Sequence, residues 1–509
     1  MAKRPTRRRR KRSARVPGHG SLGMERYTVS PALFDKRRRA EWGLPSPDGE
    51  PGRYVVELNL LHEGGIEGAD KKFNELYNAV IRSKATERRP KLVSKAYYSC
   101  LISVNEWRKL VNEDERSASG DRSKLAIYKI WPDFPVRATL DRSVTTVKAD
   151  AAVRTFAATG SEIAWAVIDS GIDKNHPHFA KHANLLHDSV AQLHHDFTGS
   201  EGEPLRDDYG HGTHVAGIIA GEVGGSDKFE VYQKVYKVDP DDGSTTITVE
   251  KRKLANGGVL AGVAPSCRLV SLKVLDANGA GRTSDVIMAL SYIRERVNGD
   301  PKLLRIHGVN LSVGYEFDAE MFACGQSPLC VEVNRLVKSG VVVVAAAGNT
   351  GYGTFTSDQR PTRIGVANTI NDPGNAALAI TVGSTHRDSP HNFGVSYFSS
   401  KGPTGDGRLK PDLVAPGERI TSCATGRYLI HNGGSVPDAV PAYIDESGTS
   451  MAAPHVSGAI AAFLSIRREF IQYPERVKEI FLASATSLGR ERYFEGRGLV
   501  DLMRAIQSI

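Results

Sequence analysis

Residues 163–169 read Ile-Ala-Trp-Ala-Val-Ile-Asp, a continuous apolar run that ends in a carboxylate. A strand without polar alternation is typical of a parallel sheet that helices cover on both faces. Residues 341–349, Val-Val-Val-Val-Ala-Ala-Ala-Gly-Asn, follow the same pattern and end in a carboxamide. Open α/β sheets bind ligands at the carboxyl ends of their strands, and we expect Asp169 and Asn349 to lie at such ends. The two runs predict an α/β fold, doubly wound around a mainly parallel sheet.

Two further segments predict buried helices that begin at polar residues. Residues 210–217 read Gly-His-Gly-Thr-His-Val-Ala-Gly and place His211 in front of a small, apolar run. Residues 447–456 read Ser-Gly-Thr-Ser-Met-Ala-Ala-Pro-His-Val, so that Ser450 opens an apolar run that continues to residue 465. Pro454 lies in the first turns of this run, where a missing amide hydrogen is tolerated. A serine at a helix N-terminus has its developing negative charge stabilised by the helix dipole and by free amide hydrogens.

An acid, a base and a hydroxyl therefore follow one another along the chain as Asp169, His211 and Ser450. This order is one of the convergent arrangements of a hydrolytic triad. The amide side chain of Asn349 would supply a donor for an oxyanion. Taken singly, such residues are more often helix caps, turn residues or satisfied polar groups. Four of them together, each in its own strand or helix signal, favour a catalytic site.

The segments resemble the subtilisin family (subtilases) of serine endopeptidases. By this resemblance His211 accepts the proton of Ser450, Asp169 orients and charge-compensates His211, and Asn349 binds the oxyanion together with the Ser450 amide. His214 would match the structural second histidine of the family's Gly-His-Gly-Thr-His motif. The similarity runs from about residue 147 to the C-terminus and extends to the segments at residues 262–265, 398–403, 411–417 and 496–500.

The resemblance also implies that an extended peptide binds as an added strand between two edges. Recognition would then be mainly through the backbone. The base of the first specificity pocket is expected near Asn371 and Asp372, where an acid would favour basic substrates. The implied substrate-binding residues are Ser312, Val313 and Gly314 on one edge, Ala346, Ala347 and Gly348 on the opposite pocket wall, and Gly279, Ala280 and Gly281 on the second edge.

A smaller domain is predicted in front of this region. Strand patterns at residues 53–60, 96–104 and 125–130 alternate with helix patterns at 71–84 and 105–112, as in a small α+β, ferredoxin-like domain. Its position resembles that of the family's inhibitory, folding-assisting propeptide, which the enzyme itself cuts, here between residues 137 and 141. We therefore predict a prodomain at residues 49–140 and a peptidase domain at 141–509. A permanent accessory domain that binds a partner or substrate is the alternative.

Residues 222–258 form an insertion relative to the compact members of the family. Alternating residues on either side of Asp-Pro-Asp-Asp-Gly, residues 239–243, predict a β-hairpin. The insertion replaces a loop where many relatives bind a structural calcium, and no metal site is assigned here. Asp239, Asp241 and Asp242 could chelate calcium, although turn acids usually face water. We expect the hairpin to shape access of the substrate.

The positive charge is concentrated at the N-terminus. The chain has 67 basic and 58 acidic residues, and nine of the basic residues lie among the first fifteen, where there is no acid. Without them the two signs balance. We therefore predict a basic, disordered tail and linker at residues 1–48, and any affinity for nucleic acid or an anionic membrane would come from this tail alone.

Location and partners follow from what the sequence does not contain. The basic tail is not followed by the apolar segment of a secretory signal, and no uninterrupted apolar stretch of about 18 residues is present. Five cysteines predict free thiols, with a Cys324–Cys330 disulfide as the alternative in an oxidising compartment. We expect a cytoplasmic serine endopeptidase without an organic cofactor that acts on protein or peptide substrates. A peptide-binding protein without hydrolysis and a tail-directed nucleic-acid or membrane associate are the alternatives.

Overall fold

The computed structural model describes residues 50–132 and 142–509, together with residues 28, 39, 45 and 46. The gaps within these ranges are residues 84, 200–201, 225–227, 239–244, 253–258, 301, 318–322, 357–360 and 436–439. The basic tail at residues 1–15, the predicted cut at 137–141 and the turn acids Asp239, Asp241 and Asp242 lie outside the described residues. The chain divides into two compact units, residues 1–137 and 138–509.

Between residues 50 and 132, the first unit contains a four-stranded antiparallel sheet and two α-helices. Its elements are β1 (Gly52–Leu58), α1 (Gly65–Val80), β2 (Lys91–Ser94), β3 (Tyr97–Ile102), α2 (Val104–Ala118) and β4 (Ile127–Pro132). The strand order β2-β3-β1-β4, with antiparallel pairing throughout, is that of the βαββαβ ferredoxin-like fold, as predicted. The sequence prediction lacks β2, because this strand is short and its Leu92 and Val93 are exposed.

The second unit has a seven-stranded sheet at its centre, in the order β17-β16-β13-β12-β5-β11-β6. All neighbours in this sheet pair in parallel, which confirms the predicted doubly wound α/β class. The strands of this unit are β5 (Ala164–Asp169), β6 (His195–Asp196), β7 (Glu222–Val223), β8 (Glu230–Val238), β9 (Thr245–Arg252), β10 (Leu260–Ala261), β11 (Arg268–Lys273), β12 (Gly308–Leu311), β13 (Val342–Ala346), β14 (Tyr352–Thr356), β15 (Pro361–Gly365), β16 (Ile380–His386), β17 (Leu413–Glu418), β18 (Ile420–Ala424) and β19 (Ala442–Glu446).

Helices cover both faces of this sheet, which explains why its strands show no polar alternation. Trp165 and Val167 of β5 face one apolar cluster, and Ala166 and Ile168 face the other. The helices of this unit are α3 (Arg142–Thr146), α4 (Ala149–Phe156), α5 (His211–Ile219), α6 (Thr283–Ser291), α7 (Pro328–Lys338), α8 (Pro390–Phe393), α9 (Gly426–His431), α10 (Thr449–Ile466), α11 (Pro474–Ser484), α12 (Arg492–Glu495) and α13 (Leu502–Gln507).

Helix α10 is the central helix of the larger cluster. Its 18 residues are long and apolar enough to cross a membrane by composition alone, but 83% of that stretch is buried inside the protein. It packs against α5 and against strands of the central sheet. The apolar composition of α10 is therefore that of a core helix.

The predicted hairpin is present as β8 and β9, which pair in antiparallel register from Val231–Arg252 to Val238–Thr245. Strand β8 also pairs in parallel with β19, the strand that leads directly to Ser450. Together they form a second sheet in the order β18-β19-β8-β9. All five cysteines are buried free thiols.

Candidate active site

The carboxyl ends of β5, β12 and β13 meet at one edge of the central sheet. The parallel register places Leu311 opposite Ile168 on one side and opposite Ala345 on the other. Asp169, Ser312 and Ala346 are the next residues of their chains and therefore share this edge. Helices α5 and α10 begin beside it, with His211 and Ser450 in their first turns.

Asp169 and His211 are joined directly. Asp169 is fully buried at the end of β5, and its Oδ1 lies 2.8 Å from His211 Nδ1. The same oxygen accepts a 2.8 Å hydrogen bond from the Ser170 amide. This contact fixes the ring of His211 and leaves Nε2 for a second partner. The His211 side chain remains 18% exposed, so one side of the ring is open to a ligand.

A second buried carboxylate holds the turn in front of His211. Asp207 accepts hydrogen bonds from the Gly210 amide at 2.6 Å and from the Thr213 amide and hydroxyl at 2.8 and 2.6 Å. It also accepts from the Ser170 hydroxyl at 2.9 Å, and Ser170 in turn accepts from the Gly212 amide. The network therefore ties α5 to the residue that follows Asp169.

Gly212 allows this close approach. A Cβ at this position would lie 2.2 Å from the Gly171 carbonyl oxygen and 3.1 Å from Asp169 Cβ. Any side chain here would separate the first turn of α5 from the end of β5. The Asp169–His211 contact consequently depends on a glycine directly after the histidine.

The surroundings of His211 act in opposite directions on its pKa. Burial favours the neutral ring, but the charge of Asp169 and its hydrogen bond to the ring favour the protonated form, with smaller contributions from Asp207 and Glu446. The net effect raises the pKa of His211 above its usual value of 6.5. A raised pKa makes this imidazole a stronger proton acceptor once it is neutral.

Ser450 is held by a reciprocal pair of hydrogen bonds with Ser312. The Ser450 hydroxyl donates to the Ser312 carbonyl oxygen at 3.1 Å, and the Ser312 hydroxyl donates to the Ser450 carbonyl oxygen at 2.9 Å. Pro454, four residues after Ser450, has no amide hydrogen and cannot bond that carbonyl as a normal helix residue would. The Ser312 hydroxyl supplies the hydrogen bond that the missing amide would have donated.

The predicted bond between Ser450 and His211 is absent among the described residues, because the Ser450 hydroxyl is directed to Ser312. Hydrogen bonds of this kind are often long or misaligned without a substrate. Rotation about one side-chain bond would redirect the hydroxyl. The structure thus brings Asp169 and His211 into contact and places Ser450 at the same sheet edge.

The side-chain oxygen of Asn349 contacts the first turn of α10, the helix that carries Ser450. Oδ1 accepts from the Thr449 amide at 2.9 Å and from the Thr449 hydroxyl at 3.0 Å. The two bonds define the orientation of the carboxamide and turn Nδ2 toward Gly448, where it would lie 3.5 Å from a Cβ. An exposed donor of this kind beside Ser450 is suited to an oxygen that becomes negative.

Residues 371 and 372 connect the two predicted walls of the first pocket. The Asn371 amide bonds to the Ala347 carbonyl at 2.9 Å, and the backbone of Asp372 pairs with that of Tyr315 at 3.0 Å in both directions. The Asn371 carboxamide lies over Gly348, where a Cβ would be 2.6 Å from Cγ, and its Oδ1 accepts from the Thr350 hydroxyl at 3.1 Å.

The Asp372 side chain is 1% exposed and accepts a 2.8 Å hydrogen bond from Asn375. The group that lies against the Gly348 wall is therefore an amide, whereas the nearby acid is turned into the protein.

The predicted second substrate edge, Gly279 to Gly281, lies beside Tyr209, which neighbours His211. Leu275 forms a bridge with Gly281, and Asp276 accepts from the backbone amides of Asn278 and Ala280. Tyr209 packs under this loop, since a Cβ on Gly279 would lie 2.5 Å from its ring. The same ring lies 6.4 Å from that of His211, which connects this edge to the site.

His214 has a structural environment. Its Nε2 lies 3.1 Å from the Ile444 carbonyl oxygen, and burial lowers its pKa to about 3. Sequence reasoning did not assign roles to Ser170, Asp207 and Tyr209. The sequence does show Asp207 in a polar turn four residues before His211. Acids in such turns commonly bond only the turn itself, so this position alone did not indicate a role in holding the site.

Comparison with known proteins agrees with this geometry. Residues 160–499 match the Subtilase family. Pyrolysin from Pyrococcus furiosus is 31% identical in an alignment of 348 residues, and the match covers 59% of this chain and 21% of pyrolysin. Subtilisin E from Bacillus subtilis is 30% identical over 350 residues, 69% of this chain and 67% of that protein. The serine protease AprX, also from Bacillus subtilis, is 28% identical over 361 residues, 70% of this chain and 68% of AprX. The match covers more than half of the chain, and the chain belongs to the subtilase family of serine endopeptidases.

Proposed function

We propose that the chain hydrolyses peptide bonds through an acyl-enzyme formed on Ser450. The Ser450 oxygen attacks the carbonyl carbon of the substrate while its proton passes to His211 Nε2, and Asp169 stabilises the resulting imidazolium. The carbonyl oxygen becomes negative and is bound by Asn349 Nδ2 and the Ser450 amide. The observation that carries this proposal is the 2.8 Å contact between buried Asp169 and His211, with Ser450 and Asn349 at the same sheet edge.

The remaining steps use the same groups. When the tetrahedral intermediate collapses, the carbon–nitrogen bond breaks and His211 gives its proton to the departing amine. A water molecule then attacks the ester and transfers a proton to His211. Collapse of the second intermediate releases the carboxylic acid and returns the proton to Ser450.

We propose that the substrate backbone binds in extended form between the two predicted edges, Ser312 to Gly314 and Gly279 to Gly281. The first edge directly follows β12, and the pocket wall at Ala346 to Gly348 includes the end of β13. Backbone pairing would give affinity, and the pocket wall with the Asn371 amide would select the side chain before the cut bond.

Hydrolysis of a fluorogenic peptide library by the intact chain tests the proposal. Ser450→Ala should reduce the rate to background while the far-UV circular dichroism and the melting temperature stay close to those of the wild type. Ser465→Ala, which removes a serine hydroxyl bonded to the Ala462 carbonyl near the other end of α10, is the matched control and should retain activity. Equal peptide hydrolysis by the wild type and Ser450→Ala would refute the mechanism.

We further propose that residues 49–140 are a prodomain that the enzyme removes by cutting between residues 137 and 141. The ferredoxin-like fold and its position before the peptidase domain support this proposal. Mass spectrometry of the purified protein should give a new N-terminus within this interval for the wild type and an uncut chain for Ser450→Ala. A cut Ser450→Ala chain, obtained without added protease, would contradict self-cutting. A wild type that stays whole while active would favour a permanent accessory domain.

A further inference from the structure

The hairpin β8–β9 carries two cations that meet two consecutive acids on β19. Lys234 Nζ lies 2.5 Å from Glu446 Oε1, and Arg252 lies 2.7 Å from Asp445 Oδ1. The Lys234 and Glu446 side chains are only 16% and 10% exposed. Ion pairs this buried are weakly screened by solvent, and removal of one partner leaves an uncompensated charge. Glu446 lies four residues before Ser450, so the hairpin neutralises a charge close to the nucleophile.

A chain of aromatic contacts extends from this pair to His211. Lys234 Nζ lies 5.8 Å from the centre of the Tyr428 ring, and the Tyr428 hydroxyl also interacts with the Glu446 carboxylate. The Tyr428 ring lies 6.3 Å from the Tyr209 ring, which lies 6.4 Å from the His211 ring. A Cβ on Gly210 would be 2.4 Å from Tyr428 Cβ, so α9 packs directly on the residue before His211.

Burial and then the charge of Glu446 raise the pKa of Tyr428, and Glu446 also contributes to the raised pKa of His211. Among the described residues, the titratable groups around His211 and the Lys234–Glu446 pair are Asp169 on β5, Asp207 and Tyr209 in the turn before His211, His214 on α5, and Tyr428 on α9, which lies between Tyr209 and Lys234.

We propose that Lys234 and Glu446 form a positioning pair through which the hairpin sets the charge that the catalytic histidine experiences. The inference rests on the proposed function of His211 as the base. Lys234 offsets part of the Glu446 charge, so that Asp169 remains the dominant negative charge beside His211. The hairpin is thereby part of the catalytic electrostatics.

The pair predicts opposite effects for its two members. Lys234→Met leaves the Glu446 charge uncompensated, which favours protonated His211 and should move the acid limb of kcat/KM to higher pH by about half a pH unit. Glu446→Gln leaves Lys234 as an uncompensated cation and should move the limb to lower pH by a similar amount. The double variant removes both charges and should return the limb to near its wild-type position. Lys234→Arg retains the charge and should leave it unchanged.

Lys251→Met is the matched control. Lys251 lies on the same hairpin, is 61% exposed and pairs with Glu230, so its removal should shift nothing. The profiles are measured on the full chain with an uncharged peptide substrate, together with melting temperatures. As a readout independent of turnover, NMR titration of the His211 imidazole in a Ser450→Ala background should show the same shifts. If Lys234→Met does not fold, the other two variants still test the inference. Glu446→Gln should shift the acid limb to lower pH, and the double variant should return it to near its wild-type position.

The inference would be overturned if the acid limb of kcat/KM and the His211 titration were the same in the wild type and in all folded variants. Shifts of the same sign for Lys234→Met and Glu446→Gln would also overturn it. Complete inactivity of the wild type, with His211 still shifted as described in the NMR titration, would count against the proposed function and leave the charge pair supported.

Discussion

Replacement of Ser312 by alanine tests whether the reciprocal serine pair holds the nucleophile. Ser312 Oγ donates to the Ser450 carbonyl oxygen at 2.9 Å and accepts from Asn310 Nδ2 at 2.8 Å. In the alanine variant both partners lose their hydrogen bond. Pro454 cannot supply a backbone amide to the Ser450 carbonyl instead, so this end of α10 loses a contact that no neighbouring helix residue replaces.

The cost can be estimated from the two bonds. An unpaired polar group in a buried site costs about 1–3 kcal/mol, and partial relaxation reduces the sum for two groups to roughly 2–3 kcal/mol of unfolding free energy. If about 1.4 kcal/mol of this must be regained to place Ser450 for attack, kcat falls about tenfold. KM should change less, because the backbone of the substrate edge is retained.

Ser457→Ala is the control for this experiment. Its hydroxyl is fully buried and donates to Asn310 Oδ1 at 2.9 Å, so its loss perturbs the same network without a contact to Ser450. We expect a loss of about 1 kcal/mol in stability and an unchanged kcat. Urea unfolding and steady-state kinetics normalised to active-site titration measure both effects. Equal kcat for Ser312→Ala, Ser457→Ala and the wild type would refute the role of the serine pair.

Four further variants test the rest of the site. Asn349→Ala should lower kcat by about 10²–10³ with little change in KM, as is typical for loss of one oxyanion donor; a loss below threefold would exclude this role. Asn371→Asp should shift cleavage toward lysine and arginine before the cut bond in a peptide library, and an unchanged profile would remove residue 371 from the pocket. Asp207→Asn should lower the free energy of unfolding, measured with urea, by about 2 kcal/mol or more, because the asparagine NH2 group would face a hydrogen-bond donor of Gly210 or Thr213. Stability equal to the wild type would contradict the network. The acid limb of kcat/KM should lie above pH 6.5, since only neutral His211 acts as base. Asp169→Asn should move this limb below pH 6.5, because burial, which lowers the pKa of His211, is then no longer outweighed by the Asp169 charge. A limb that stays in place would contradict the role of Asp169 in raising this pKa.

The sequence identified two of the seven strands of the central sheet because their apolar runs are long and end in distinctive polar residues. Val342–Ala346 and Ala164–Asp169 are buried on both faces, so local composition and tertiary environment agree. The edge strand Lys91–Ser94 was not predicted, since four residues with exposed Leu92 and Val93 do not carry a burial pattern. Its existence depends on pairing with Tyr97–Ile102, which is a tertiary property.

In the candidate site, too, some residues can be predicted from local sequence and others depend on the tertiary fold. Asp169, His211, Ser450 and Asn349 lie in short motifs that can be read along the chain. The groups that orient them come from distant positions, such as Ser312, 138 residues before Ser450, and Lys234, which reaches Glu446 from the neighbouring strand. Sequence spacing does not encode which acid faces a pocket either. Asp372 was a reasonable candidate, but its burial against Asn375 leaves the wall to Asn371.

The central claim is that Ser450 is a nucleophile activated by His211. The most direct measurement is mass-spectrometric mapping of the residue modified by a fluorophosphonate probe on the intact, folded chain. We expect a single covalent adduct on Ser450, which is lost in His211→Ala although the hydroxyl remains. A folded chain that takes no label, or one that is labelled at another residue, would contradict the account.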